Sequence, residues 1–412
     1  MKIKWIGLAM SLIATMVASV LAQNTAGAPV FGDDLSFLKK YNDVVVLSDK
    51  TGAMQVAVVP AYQCRVMTST ADGSRGNSFG WVNRELIASG KIQPHINVFG
   101  GEDRFWIGPE GGQFSVFFAK GVAFDLEHWF TPPSIDTEPF ELVSKSRDRV
   151  HCRRQIHLTN YSGATFDFEV NREIHLLTRA VIQQHLGMEL KPDIKVVAFE
   201  SINTIKNTGN QAWRKDTGLL SIWILGMFNA SPATTVVVPF KPGADSELGP
   251  AVNDAYFGKV PADRLAAKDS VLFFAADAKH RSKIGTSPRR SKPVLGSYDA
   301  VHHVLTLAQF TLPEDAADYV NSMWTLQDDP FSGDVVNSYN DGPPAPSAAQ
   351  LGQFYELETS SPALSLQPMA SATHRHRTIH LQGSERDLDA IARTTLGVSI
   401  EEIKNGLGKS KK

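Results

Sequence analysis

Thr165-Phe166-Asp167-Phe168-Glu169-Val170-Asn171-Arg172 alternates apolar and polar residues without a break. In an extended chain successive side chains point to opposite faces, so Phe166, Phe168 and Val170 share one face while Asp167, Glu169 and Asn171 share the other. This pattern predicts a strand with one face on a core and the other toward water. Similar segments recur at 43–47, 54–59, 65–70, 113–118, 151–159, 196–204 and 219–225. Others follow at 234–240, 271–275, 301–310, 353–359 and 373–382. Helical periodicity is confined to 81–89, to 314–325 after Pro313, and to 385–407 with an interruption near Gly397. Many strands with few helices bury one face each most economically as two packed antiparallel sheets. The predicted fold is therefore all-β, a large antiparallel β-sandwich with a short helical C-terminal tail.

Composition agrees with a single globular body. The chain has 412 residues, 42% apolar and 20% charged. Lysine and arginine number 41 against 43 acidic residues, which leaves no broad cationic surface for a nucleic-acid backbone. Residues 1–22 read as a secretory leader: Lys2 and Lys4 precede an apolar run from Ile6 to Leu21, and Val20 and Ala22 have the spacing of a cleavage site. The expected organisation is a signal peptide at 1–22, a flexible segment at 23–31, one sandwich domain at 32–383 and a helical tail at 384–412. The expected location is secreted or periplasmic, with no membrane attachment after leader cleavage. Cys64 and Cys152 are the only cysteines, which excludes a disulfide-dense scaffold and a four-cysteine zinc site and leaves their pairing open.

Most motifs with familiar chemistry are absent or out of context. Gly76-Asn77-Ser78-Phe79-Gly80 fits the nucleophile-elbow pattern, but the polar stretch 71–75 stands where a core strand should run into the turn. No metalloprotease, Walker or dinucleotide motif occurs. His374, His376 and His380 fall on one face of a strand, yet no acidic residue accompanies them; no metal and no cofactor is expected.

Two segments carry the candidate site. The run from His95 to Gly112 contains Glu102, Asp103, Arg104, Trp106 and Glu110 among glycines that allow tight turns. An indole can stack on the C–H face of a sugar while carboxylates and a guanidinium hold its hydroxyls. The second run supplies Asn337, Asn340 and Asp341 and leads into the strand holding Glu356 and Glu358. Those two carboxylates fall on one face, with Tyr355 and Leu357 opposite, a placement suited to proton transfer when buried.

With these residues in place the chain resembles the galactose mutarotase-like superfamily, and within it an uncharacterised branch of exported bacterial proteins. The resemblance rests on Val58-Val59-Pro60-Ala61-Tyr62-Gln63-Cys64-Arg65-Val66, on Gly100-Gly101-Glu102-Asp103-Arg104-Phe105-Trp106, and on Glu358-Thr359 with Leu366-Gln367-Pro368; it spans roughly residues 32–383. It implies a β-supersandwich that binds or acts on sugars. In aldose epimerases of this superfamily a late-strand glutamate takes the anomeric hydroxyl proton while a histidine protonates the ring oxygen. Glu358 matches that glutamate best, with Glu356 as the rival. The stretch that would supply the histidine, residues 201–209, contains none, and His95 before the Gly-Gly turn is the loose substitute. The resemblance implies a sugar epimerase or mutarotase, with a non-catalytic carbohydrate-binding protein as the alternative and a structural subunit of a periplasmic complex as the third reading.

Overall fold

The computed structural model describes residues 27–345 and 348–408. The leader expected at 1–22 lies outside the described residues. From Pro29 the chain is already tied down: the Ser78 amide donates to the Pro29 carbonyl at 2.7 Å, and Phe31 is fully buried at the start of the helix Phe31–Tyr41. The described part of the segment expected to be flexible is therefore anchored at its C-terminal end.

The chain first forms β1 (Val45–Ser48), β2 (Gln55–Val59), β3 (Arg65–Thr70) and β4 (Arg104–Gly108). Next come β5 (Glu141–Lys145), β6 (Arg149–Thr159), β7 (Thr165–Leu176), β8 (Lys195–Asn207), β9 (Ser221–Asn229) and β10 (Thr234–Pro239). The remainder supplies β11 (Leu265–Lys268), β12 (Val271–Ala275), β13 (Ser282–Thr286), β14 (Val294–Asp299) and β15 (Val304–Phe310). The last three are β16 (Val336–Asn340), β17 (Phe354–Ser360) and β18 (Ser371–Gln382). β1–β3 form a small sheet of their own. A ten-stranded sheet runs β11-β12-β10-β14-β15-β18-β8-β7-β6-β5, and a five-stranded sheet runs β13-β16-β17-β9-β4.

The two larger sheets pack face to face, as the alternation in β7 requires. Phe228, Ile284 and Leu357 of the five-stranded sheet meet Val236, Val238 and Phe274 of the ten-stranded one. At the other end Phe105, Ile107, Ile222 and Ile224 join the cluster that contains Phe168, Val170 and Phe199. The outer face of the ten-stranded sheet is covered by helices: Ile182 and Leu186 from Arg179–Leu186, Leu388, Ile391 and Leu396 from Glu385–Leu396, and Ile400 and Ile403 from Ile400–Lys404. The C-terminal helices thus bury their apolar stripe on the sheet. Ser384 and Ser399 cap their N-termini, and Gly397 between them adopts the left-handed conformation that ends the first. Among the described residues no helix is long and apolar enough to cross a membrane.

Three local expectations fail for identifiable reasons. Residues 314–325 form no helix: the Tyr319 amide donates to Phe331 O at 3.0 Å and the Gly333 amide to Tyr319 O at 2.8 Å, so the backbone bonds across an irregular loop instead of along itself. Residues 113–118 form no strand; Val116, Phe117 and Phe118 are buried in succession within a cluster of aromatic rings. The first helix of 81–89 begins only at Arg84, where the Asn83 side chain accepts from the Leu86 amide.

The core between the sheets is partly ionic. Arg172 on β7 and Asp103 form a salt bridge in which both side chains are wholly buried. The same guanidinium donates to Asn203 Oδ1 at 2.9 Å and to the Cys64 carbonyl at 3.2 Å. Cys64 is disulfide-bonded to Cys152, which closes a link across 88 residues.

Candidate functional site

The outer face of the five-stranded sheet carries the site. β17 is its central strand, and pairing sets Glu358 beside Asn337 of β16 and Leu225 of β9, with Arg104 of β4 next in the row. Two residues along, Glu356 stands beside Tyr339, which faces Lys283 of β13. Two residues along the other way, Trp223 pairs with Trp106. The alternate positions Leu357, Ile224 and Phe105 fill the core, so the polar members of each strand are held on the opposite face. Glu356, Glu358, Arg104, Trp106 and Asn337 are thus brought together from three segments far apart in sequence.

Glu358 is fully buried. Its Oε2 accepts from Trp223 Nε1 at 3.0 Å and from Lys283 Nζ at 2.9 Å, while its Oε1 has no hydrogen-bond partner. Burial would lower the Lys283 pKa, but Glu358, Glu110 and Glu356 outweigh it and raise the value, so the ammonium is firmly charged. Burial, reinforced by the neighbouring Glu358 charge, pushes the Glu356 carboxyl well above its ordinary range, against the opposing pull of Lys283 and Arg104. Glu110, on the loop after β4, is raised by burial and by Glu358, and its Oε1 accepts from Trp324 Nε1 at 3.2 Å. Carboxyl groups that favour the proton therefore surround one that is ion-paired, an arrangement that separates donors from an acceptor.

A small cleft lies beside Trp223 and Lys283, the two donors to Glu358, and its lining also includes Tyr256, Asp334, Asn337 and Ser360. Its volume of about 10 Å³ leaves room for roughly one ordered water. Tyr256 donates to Asp334 Oδ2 at 2.6 Å and accepts from Asn337 Nδ2 at 3.2 Å. Burial raises the pKa of both the Tyr256 hydroxyl and the Asp334 carboxyl.

The remaining residues singled out from the sequence are more dispersed. Arg104 pairs with Asp136 at 3.0 Å and stacks 4.1 Å from the Trp106 ring centroid, while Trp223 meets that indole edge-on at 5.3 Å. One face of Trp106 is thereby covered by a guanidinium, and the indole N–H is buried without a partner. Glu102 and Asp103 turn into the core. Glu102 Oε2 meets His380 Nε2 at 2.9 Å and Ser69 Oγ at 2.9 Å, and Asp103 is taken by Arg172. Asn340 falls on the other face of β16 from Asn337 and bonds the His280 carbonyl and the Ala278 amide. Asp341 accepts from Tyr339 Oη and from the Gly352 amide, both at 2.7 Å, which fixes the loop rim. The His95 ring stacks on Phe130 and its Nδ1 lies 2.6 Å from the Trp129 carbonyl. No contact joins it to either glutamate.

Lys283, Trp223, Tyr256 and Asp334 are members that sequence reading did not find. Lys283 lies in the short strand β13, whose central residues are all buried, so no alternation marks it. Trp223 could have been found by continuing the alternation of β9 from Leu225.

His374, His376 and His380 do share the core face of β18. Thr359 Oγ1 lies 2.9 Å from both His374 Nε2 and His376 Nδ1. Burial depresses the first imidazole to about 3 and the second to about 4. A histidine whose folded pKa lies below its unfolded value of about 6.5 contributes stability above that pH and loses it as pH falls toward the folded value. Urea unfolding at pH 7, 6 and 5 should show stability falling by roughly 1.4 kcal/mol per pH unit for each imidazole below about pH 6.5. His374→Gln should remove one such contribution; an unchanged slope contradicts the assignment.

Among solved structures, the chain is similar to a candidate aldose 1-epimerase from Escherichia coli K12, with 12% identity, a TM-score of 0.49 and coverage of 82% of this chain and 98% of that one. It is similar to the Slr1438 protein from Synechocystis sp. PCC 6803 at 12% identity and a TM-score of 0.48, covering 83% and 96%. It is also similar to a galactose mutarotase-like protein from Lactobacillus casei ATCC 334 at 10% identity and a TM-score of 0.44, covering 82% and 100%. Identities this low transfer no activity. No curated protein matches the sequence significantly. A family model does match, over residues 29–407, from the anchored Pro29 to the end of the C-terminal helices. The chain belongs to the family of unknown function DUF6786.

Proposed function

We propose that this is an exported carbohydrate-active protein that interconverts the anomers of a sugar at the Glu356–Glu358 face. The observation that carries the reading is Glu358 itself: a fully buried carboxylate with one oxygen bound by Lys283 and Trp223 and the other without a partner. An unpaired buried acceptor is costly unless a ligand hydroxyl satisfies it. In this reading Glu358 Oε1 takes the proton of the C1 hydroxyl as the bond from C1 to the ring oxygen breaks. Glu110, held protonated by burial, gives its proton to the ring oxygen. The open-chain aldehyde rotates about C1–C2 and recloses from the other face, and both protons return. Glu110 replaces His95 as the acid, because the His95 ring is fixed against Phe130 and the Trp129 carbonyl.

A pyranose needs more room than one water, so the cleft must widen. Val320 and Ser322 on the irregular loop form part of its wall outside the sheet, and their displacement would open it. The leader pattern read at 1–22 supports export, and the Cys64–Cys152 disulfide accords with an oxidising compartment.

Binding without catalysis is the second reading, favoured by the Lys283 ion pair, which already engages Glu358 Oε2. Exchange NMR on a saccharide panel separates the two. Anomer interconversion faster than the buffer rate supports the enzyme, binding shifts alone support the binder, and neither effect with any sugar overturns both.

A further inference from the structure

Arg281 lies two residues before Lys283 and, by continuation of the β13–β16 register, level with Asp341. It therefore projects from the same face as Lys283, which lines the cleft, and stands beside Phe257, itself 45% exposed. Its guanidinium packs 4.2 Å from the Phe257 ring centroid, and its Nε is buried without a hydrogen-bond partner.

The other cations of this region are matched: Lys283 by Glu358, Arg104 by Asp136, Arg172 by Asp103. Among the described residues no carboxylate lies within ion-pair distance of Arg281. Asp341, level with it in the register, is engaged by the Tyr339 hydroxyl and the Gly352 amide, and burial raises its pKa. Glu110 is likewise raised by burial. A half-buried guanidinium with an unfilled donor is unfavourable alone and becomes favourable with an oxyanion, which its planar fork can bind through two parallel hydrogen bonds. Stacking on Phe257 holds that plane in place.

Taking the sugar reading as its basis, we infer that the substrate is an acidic sugar whose carboxylate or phosphate substituent binds Arg281 while the ring reaches Glu358. The ring then lies along the outer sheet face, past Lys283, between the Arg281 cation and Glu358. Exposed Lys279, two residues before Arg281, extends the same positive charge outward.

Isothermal titration of the full chain with glucose and galactose, their uronates and their 6-phosphates tests this. Binding of at least one acidic series about tenfold tighter than its neutral parent is expected, weakening as salt is added. The uronate and phosphate arms identify which oxyanion is taken. Arg281→Met should collapse the acidic-to-neutral ratio to about one, and Arg281→Lys should retain part of it, with unchanged melting temperatures showing that both variants fold. Equal binding of neutral and acidic sugars, or a preference that survives Arg281→Met, overturns the inference and leaves the sugar reading standing. Failure of every saccharide to bind overturns that reading, and the inference with it.

Discussion

Glu358→Gln is expected to lower anomer exchange by about 10²–10⁴-fold while sugar binding persists. The amide keeps the shape of the carboxyl and can still accept from Trp223, but it cannot take a proton. Glu356→Gln provides the contrast. Its amide resembles the protonated carboxyl that burial already favours, so exchange should fall by less than about tenfold. Both are read by exchange NMR, with thermal melts as the control for folding, because removing the Glu358 charge leaves Lys283 buried beside a neutral group. Equal rates in wild type and Glu358→Gln remove Glu358 as the base; a loss in Glu356→Gln alone moves the role to its neighbour.

The second large effect is on stability. Arg172→Met should destabilise the fold by about 3–5 kcal/mol, the usual consequence of leaving one member of a buried ion pair alone. Asp103 is wholly inaccessible, and the Arg172 guanidinium also ties the Asn203 side chain and the Cys64 carbonyl to β7. Urea denaturation measures it directly. A change below about 1 kcal/mol, the range of exposed ion pairs, shows that the pair does not hold the sheets together as described. The same pair explains why Asp103 is a poor sugar ligand: its carboxylate is committed to the core.

The alternation of Phe166, Phe168 and Val170 was legible because one face of β7 is solvated and the other is not. The same reasoning located Glu356 and Glu358 on one face of β17, since Leu357 between them needs the core. Arg104 and Trp106 were found as residue types, but β4 was read as a turn-rich loop. All five of its residues are buried, so polarity there does not alternate with exposure. That also hid the fact that Asp103 and Arg104 point opposite ways. Lys283 carries no local signal: a lysine in a short buried strand becomes meaningful only when β16 and β17 bring Glu358 within 2.9 Å. Glu102 and His380 likewise form a pair separated by most of the chain, through contacts between sheets that periodicity does not encode.

A crystal structure of the protein soaked with a saturating sugar tests the central claim most directly. The account predicts a widened cleft with the ring over the five-stranded sheet and its anomeric oxygen within hydrogen-bond distance of Glu358 Oε1, near the Glu110 carboxyl. A ring bound elsewhere, with Glu358 Oε1 still unpartnered or engaged by a protein group, contradicts it.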